Sequence, residues 1–305
     1  MRRRRGARAA SAPPAGAEEL PELPEVETVR AGLAPHLVGA RLVRVEARRP
    51  DLRFPLPERF AERLTGAKVE ALERRAKYIL ARLDTGETLV VHLGMTGRFI
   101  VETAVTDRPG KFHHRAGEDD KHTHVVMETD RGARLSFNDA RRFGYMALIP
   151  TNEVADHPWF AGLGPEPLGP DFNAGALAAA FKDRKQSVKV TLLDQRVVAG
   201  LGNIYVCEAL YRAHLSPVRA AGAIKPAELR RLAEAVKAVL EEAIEAGGST
   251  LRDYRNADGD LGYFQHAFRV YGREGEPCAD PKCAGVVRRI VQGGRSTFYC
   301  DRCQR

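Results

Sequence analysis

Four cysteines crowd into the last 28 residues of this 305-residue chain, as Cys278-x4-Cys283-x16-Cys300-x2-Cys303. Two close pairs separated by a hairpin's length can meet around one tetrahedral zinc, whereas four such cysteines make a poor disulfide framework for a chain of this size. Between the pairs, VVRRIV and RSTFYC flank Gln292-Gly293-Gly294, which predicts a β-hairpin. Its core is too small to hold without metal. The C-terminus is therefore expected to be a zinc-ribbon hairpin carrying one structural Zn2+ on Cys278, Cys283, Cys300 and Cys303, with Arg288, Arg289 and Arg295 turned to a phosphate backbone. Cys207 stands apart in a helical segment and reads as a small buried residue. Metal-ligating rather than disulfide-bonded cysteines point to a reducing compartment, the cytoplasm.

The charge balance agrees with a polyanionic partner. Lys plus Arg total 48 against 40 Asp plus Glu, a net of +8, with a pI near 9.4. Without residues 1–20, which hold five Arg and two Glu, the remainder is still basic at +5. That opening stretch joins an arginine run to Ala, Pro and Gly and has no apolar signal-peptide core, so it reads as a disordered tail. No apolar run reaches the roughly 18 residues a membrane helix needs, and no membrane partner is expected.

The rest divides in two. From Pro24, the residues Val26, Val29, Leu33 and Leu37 recur at helical spacing, so a helix opens the first domain. Alternation over 41–47, and the YILARL and LVVHLGM runs around Asp84-Thr85-Gly86-Glu87, predict strands that continue to about 149. Residues 150–172 hold five prolines and no sustained periodicity, which marks a boundary and places the first domain at 21–150 and a linker at 151–172. Helical patterns then cover 173–182, 187–195, a segment opening at Gly202-Asn203, and a long amphipathic helix carrying Leu229, Leu232, Val236, Val239, Leu240 and Ile244. Six glycines within 247–276 suggest a mobile loop able to close over a ligand, so the second domain spans 173–276 and the zinc finger 277–305. The fold class is α+β.

Several short motifs occur in one order along the chain: Pro21-Glu22-Leu23-Pro24-Glu25-Val26, Arg74-Arg75-Ala76-Lys77-Tyr78, His92-Leu93-Gly94-Met95-Thr96-Gly97, Lys121-His122-x-His124, Asp139-x-Arg141-Arg142-Phe143-Gly144, Leu163-Gly164-Pro165-Glu166-Pro167-Leu168 and Gly202-Asn203-Ile204-Tyr205, followed by the cysteine quartet. In this the chain resembles the bacterial formamidopyrimidine-DNA glycosylases from Pro21 to its end. The resemblance implies an N-terminal β-sandwich with a leading helix, a helix-two-turn-helix bundle and a zinc finger. It implies a monomeric base-excision repair enzyme that removes oxidised purines such as 8-oxoguanine and formamidopyrimidines from damaged duplex DNA, then cuts the abasic strand by β- and δ-elimination. It is thus both glycosylase and lyase.

By the same resemblance, Pro21 is the nucleophile whose free amine attacks C1′ of the damaged nucleotide. An α-amino group titrates near 8, well below lysine, and a secondary amine gives a permanently cationic iminium that draws electrons during elimination. Glu22 is the acid for the sugar ring oxygen, Glu25 a candidate for placing water, Lys77 a proton donor in β-elimination and Arg295 the donor for δ-elimination. Met95, Arg141 and Phe143 resemble the triad that fills the hole left by the extruded base. His122, Arg142, Arg184, Lys189 and Asn203 match positions that hold the neighbouring phosphates, and Gly202-Asn203 at a helix start suits a phosphate. The glycine-rich stretch 247–276 corresponds to the loop over that base.

Two features depart from the pattern. The first cysteine pair has x4 where the family has x2, a longer knuckle that still permits tetrahedral coordination. With residues 1–20 attached, Pro21 is an amide nitrogen and cannot form an iminium. The expectation is a start at codon 20 or removal of the tail, since Leu20 stands where the family has its initiator Met. Three other readings stay open: an oxidised-pyrimidine glycosylase of the same superfamily, a non-catalytic damaged-DNA binder if Pro21 stays blocked, and a generic zinc-ribbon protein.

Overall fold

A computed structural model of the chain describes residues 21–103, 120–249 and 264–305. The expected tail, 1–20, and the centre of the expected glycine-rich loop, 250–263, lie outside the described residues.

Helix α1 (Leu23–Leu37) begins with Pro24 in its first turn, where a missing N–H breaks no helical hydrogen bond. Two four-stranded antiparallel sheets follow. One runs in the order β1 (Leu42–Ala47), β6 (Thr123–Thr129), β7 (Ala133–Asn138), β5 (Arg98–Thr103). The other runs β2 (Val69–Arg75), β3 (Tyr78–Leu83), β4 (Glu87–His92), β8 (Tyr145–Pro150). Period-two alternation sorts each strand between two faces. Ile79, Ala81 and Leu83 of β3 enter the core shared by the sheets, with Val125, Met127, Leu135 and Phe137 from the facing sheet and Phe60 and Leu64 of the short α2 (Phe60–Leu64). Leu80, one residue out of phase, instead joins Val90, Ile149 and Phe160 on the outer face. The proline-rich stretch after β8 thus packs against the sandwich, since Phe160 joins that cluster and Trp159 stacks on Tyr78 at 6.1 Å.

Four helices build the second core: α3 (Ala174–Phe181), α4 (Val188–Leu193), α5 (Asn203–Arg212) and α6 (Pro226–Glu245). Asn173 caps α3 by accepting from the N–H groups of Gly175 (2.9 Å) and Ala176 (3.1 Å). Gln195 pins the turn between α4 and α5, accepting from Gly200 N–H at 2.8 Å and donating to the Leu201 carbonyl at 2.9 Å. The hairpin of β9 (Val287–Gln292) and β10 (Arg295–Cys300) closes through Gly293-Gly294 and buries Val287, Phe298 and Cys300 against this same helical core.

Helix α1 ties the halves together. Leu23 belongs to the helical core, whereas Val26, Val29, Leu33 and Leu37 belong to the sandwich core. Pro21 and Glu22 therefore sit at the seam. A second tie is Glu166, whose carboxylate accepts from Arg74 (2.6 Å), Arg75 (2.9 Å) and the Ala76 N–H (2.6 Å), fastening the connecting segment to the turn that carries Lys77. Among the described residues no helix is long and apolar enough to cross a membrane.

Candidate active site and DNA-facing turns

Glu22 is buried at the seam with half of its carboxyl satisfied. One oxygen accepts from the Ile204 N–H at 3.1 Å, at the start of α5. The other is buried and accepts nothing among the described residues. Burial pushes its pKa up to about 7, against the opposing pull of the Lys77 ammonium. The approach of α5 is possible because residue 202 is glycine: a Cβ there would lie 2.1 Å from the Glu22 carboxyl carbon.

Lys77 follows Ala76, which turns the chain between β2 and β3 at a φ of 52°. Burial lowers the Lys77 pKa; the Glu22 charge opposes this and the Arg295 guanidinium adds to it. Two groups of opposite kind are thus both driven toward neutrality, and Glu22 can give or take a proton near neutral pH. Arg295 is exposed at the start of β10 and is placed by its neighbour, since Asn203 donates to the Ser296 carbonyl at 3.0 Å and to the Tyr271 hydroxyl at 3.3 Å. Lys189, on α4, feels the charges of both Arg295 and Glu22. Its ammonium is buried without a hydrogen-bond acceptor among the described residues, and burial lowers its pKa.

A second set of groups lies on two turns of the sandwich. Met95 is on the turn between β4 and β5, and Arg141, Arg142 and Phe143 are on the turn between β7 and β8. Phe143 is exposed, and the Arg141 guanidinium lies over its ring at 4.9 Å. His92, at the end of β4, stacks on Tyr145 at 4.8 Å, and burial beside Lys77 and Arg53 pushes its pKa down to about 4. It is a neutral imidazole whose Nδ1 accepts from the Gly94 N–H at 3.0 Å. His122 ends a short helical turn, and its carbonyl accepts from the Asp139 N–H at 2.9 Å.

The four hairpin cysteines meet. All four sulfurs lie within 4.8 Å of one another, with Cys278 to Cys303 at 3.8 Å and Cys283 to Cys300 at 3.7 Å. A tetrahedron with Zn–S bonds of about 2.3 Å has S···S edges of about 3.8 Å, so the residues present fit zinc. The x4 knuckle does not prevent this. Tyr211 of α5 brings its hydroxyl to 3.4 Å from the Cys278 sulfur, which joins the metal centre to the helix carrying Asn203.

Comparison with known proteins agrees with this geometry. The family model described as formamidopyrimidine-DNA glycosylase N-terminal domain matches residues 20–146, the glycosylase H2TH domain 163–255, and the zinc finger found in FPG and IleRS 275–305. The chain belongs to the formamidopyrimidine-DNA glycosylase family. The family member of Phenylobacterium zucineum is 63% identical over 287 residues, covering 94% of this chain and all of the relative. That of Caulobacter sp. is 62% identical over 286 residues, covering 93% of this chain and all of the relative. Among solved structures, the MutM (Fpg) protein of Thermus thermophilus is similar with a TM-score of 0.78 and 41% identity, over 93% of this chain and 98% of that one. A Lactococcus lactis Fpg variant in complex with Fapy-dG-containing DNA is similar with a TM-score of 0.80 and 32% identity, over 93% of this chain and all of that one.

Within this glycosylase fold the expected groups form two sets. Glu22, Lys77, Lys189 and Arg295 influence one another's charge at the seam, and Met95, Arg141, Arg142 and Phe143 share the two turns. Arg184 pairs with Asp194 at 3.7 Å. Glu25, the candidate for placing water, is also a structural anchor. Its carboxylate is taken up by the Glu22 N–H (3.0 Å), the Tyr205 hydroxyl (2.6 Å) and the N–H and hydroxyl of Ser249 (2.8 and 2.9 Å), so it is an anchor between α1, α5 and the segment after α6. Sequence reasoning missed Tyr205, Ser249 and Tyr271. It also missed Glu208, fully buried, which accepts three N–H groups from Arg269, Val270 and Tyr271 at 2.8 to 3.0 Å and fixes the approach to the zinc finger. An acid on the inner face of an apolar helix was the available signal: Glu208 sits between Cys207 and Ala209 in a helix buried nearly throughout.

Proposed function

We propose that this chain is a bifunctional DNA glycosylase and lyase that removes oxidised purines, 8-oxoguanine and formamidopyrimidines, from duplex DNA and then cleaves the strand. The observation that carries the reading is Glu22: a buried carboxyl with its pKa pushed up to about 7 and one oxygen without a hydrogen-bond donor among the described residues, adjacent in the chain to a proline.

The chemistry follows from these groups. The unprotonated Pro21 nitrogen attacks C1′ as the C1′–N bond to the damaged base breaks, and the proton of the resulting ammonium passes to the departing base anion, so that the base leaves neutral and the proline nitrogen is a neutral tertiary amine. Protonated Glu22 then delivers a proton to the ring oxygen as the C1′–O4′ bond opens, leaving an iminium between C1′ and the proline nitrogen. The iminium acidifies C2′, and loss of the C2′ proton expels the 3′ phosphate. Lys77, its pKa lowered by burial, handles protons in this step, and Arg295 at the rim assists expulsion of the 5′ phosphate. Asn203, Lys189, Arg142, His122 and Arg184 hold phosphates; for Lys189 a phosphate supplies an acceptor to an ammonium that has none among the described residues. Met95, Arg141 and Phe143 occupy the vacated base position. Cys278, Cys283, Cys300 and Cys303 hold a structural zinc, which when bound fixes the hairpin that presents Arg295.

The enzyme acts as a monomer, in the cytoplasm, on damaged duplex DNA. The chemistry requires the Pro21 amine to be free, whereas in the 305-residue chain it is an amide. The test is excision from duplexes carrying 8-oxoguanine opposite cytosine or thymine glycol opposite adenine. Release of the purine lesion and a gap with phosphates at both ends is expected; preferential release of thymine glycol would support the pyrimidine reading instead.

A further inference from the structure

Met95 and Arg141–Phe143 stand on turns that are neighbours for a topological reason. Strand β4 lies in one sheet and β5 in the other; β7 lies with β5, and β8 with β4. Both turns therefore cross between the sheets side by side, in opposite directions. They are bound at one point, the fully buried Asp139. The Thr96 hydroxyl donates to one oxygen of its carboxylate and accepts from the Arg141 N–H at 3.2 Å. The other carboxylate oxygen accepts from the Gly144 N–H at 2.7 Å. Its carbonyl accepts from His124 Nε2 at 2.8 Å, and its N–H donates to the His122 carbonyl at 2.9 Å.

The backbones are pressed together as well. Gly94 has a φ of 65°, and a Cβ on it would lie 2.2 Å from the Phe143 carbonyl carbon. Arg142 holds a left-handed φ of 57°, a conformation that persists in a non-glycine residue only where its surroundings enforce it.

We propose that Thr96 and Asp139 are positioning residues for discrimination of the base opposite the lesion. They lock the two turns into one preformed unit, so that Arg141, stacked on Phe143, meets the orphaned base already aimed. This rests on the glycosylase reading above. The Thr96 hydroxyl is the linchpin, because its loss leaves both a carboxylate oxygen and the Arg141 N–H without that partner, and the arginine must then be ordered when DNA binds.

The test compares Thr96→Val and Thr96→Ser in the active enzyme. For each variant, kcat/KM on 8-oxoguanine opposite cytosine and opposite adenine is divided by the same variant's cleavage of an abasic single strand, which has no opposite base to read. Thr96→Val is expected to lower the cytosine value by about tenfold and to shrink the preference for cytosine over adenine, and Thr96→Ser to restore both. Unchanged preference in Thr96→Val, or an equal loss opposite both bases, would overturn the proposal. Failure of the unsubstituted enzyme to cleave either substrate would instead overturn the glycosylase reading. A second measurement needs no variant: the Arg141 amide should exchange with solvent slowly, as part of a closed hydrogen-bond unit, and exchange as fast as that of the neighbouring exposed turn would also overturn the proposal.

Discussion

On the sandwich side of the molecule, the groups proposed to meet DNA sit on turns between strands, carried by an apolar core that runs from Val26 to Leu148. On the helical side, Asn203 and Arg295 depend on a hairpin that contributes Val287, Phe298 and Cys300 to the apolar core, set against α5. The first arrangement is stiff by itself. The second is stiff only when four cysteines are tied together and Tyr211, Tyr271 and Glu208 bind the hairpin and its approach to the helices. On the proposed reading, proton transfer belongs to the seam, at Glu22 and Lys77, and grip on the DNA is shared between the sandwich turns and the zinc side.

The division is broken most severely at the seam. Glu22→Gln keeps the size and the Ile204 contact but removes the acid, and sugar-ring opening, read as strand cleavage, should fall by about 10²–10⁴-fold with DNA binding retained. The same residue sets a pH limb. Because the acid must be protonated, with its pKa raised to about 7, while the Pro21 amine, titrating near 8, must be unprotonated, strand cleavage should peak between about 7 and 8 and decline on the alkaline side as Glu22 loses its proton; an ordinary carboxylic acid would have lost its proton well below that. A rate profile flat from pH 6 to about 8.5 would remove Glu22 from the acid's role.

Zinc removal sharpens the contrast. A chelator strong enough to strip the cysteine site should unfold the hairpin and lower DNA affinity by about 10–100-fold, while the near-ultraviolet signal and the melting of the sandwich change little. Loss of both domains together would mean that the two cores are one cooperative unit.

The smallest effect is expected at Arg141. Arg141→Ala should leave overall affinity within a few fold and reduce the preference for cytosine opposite the lesion by about tenfold, read as the ratio of kcat/KM values across opposing bases. Equal loss opposite all four bases would make Arg141 a phosphate contact.

Much of this was legible in the chain. The cysteine spacing and Gly293-Gly294 specify the ribbon locally, and the periodicity of Leu229 to Ile244 specifies α6, because both signals are complete within a short window. Strand pairing was not, since the sheet order β1, β6, β7, β5 depends on partners far apart in sequence. The buried setting of Lys189 was hidden because a lysine reads as surface until the core around it is known. Glu25 and Asp139 were visible as motif residues, but their roles lie in bonds to Ser249 and Thr96, at separations of 224 and 43 residues, which no local pattern encodes.

The central claim is that the Pro21 nitrogen is the nucleophile. It is tested most directly by sodium borohydride trapping on a duplex with 8-oxoguanine opposite cytosine, using the 305-residue chain, verified intact by mass, beside a chain whose first residue is Pro21. A covalent adduct is predicted from the Pro21-first chain alone, with the cross-link mapped to that residue. An adduct from the intact long chain, or a cross-link mapped to a lysine such as Lys77, would contradict it.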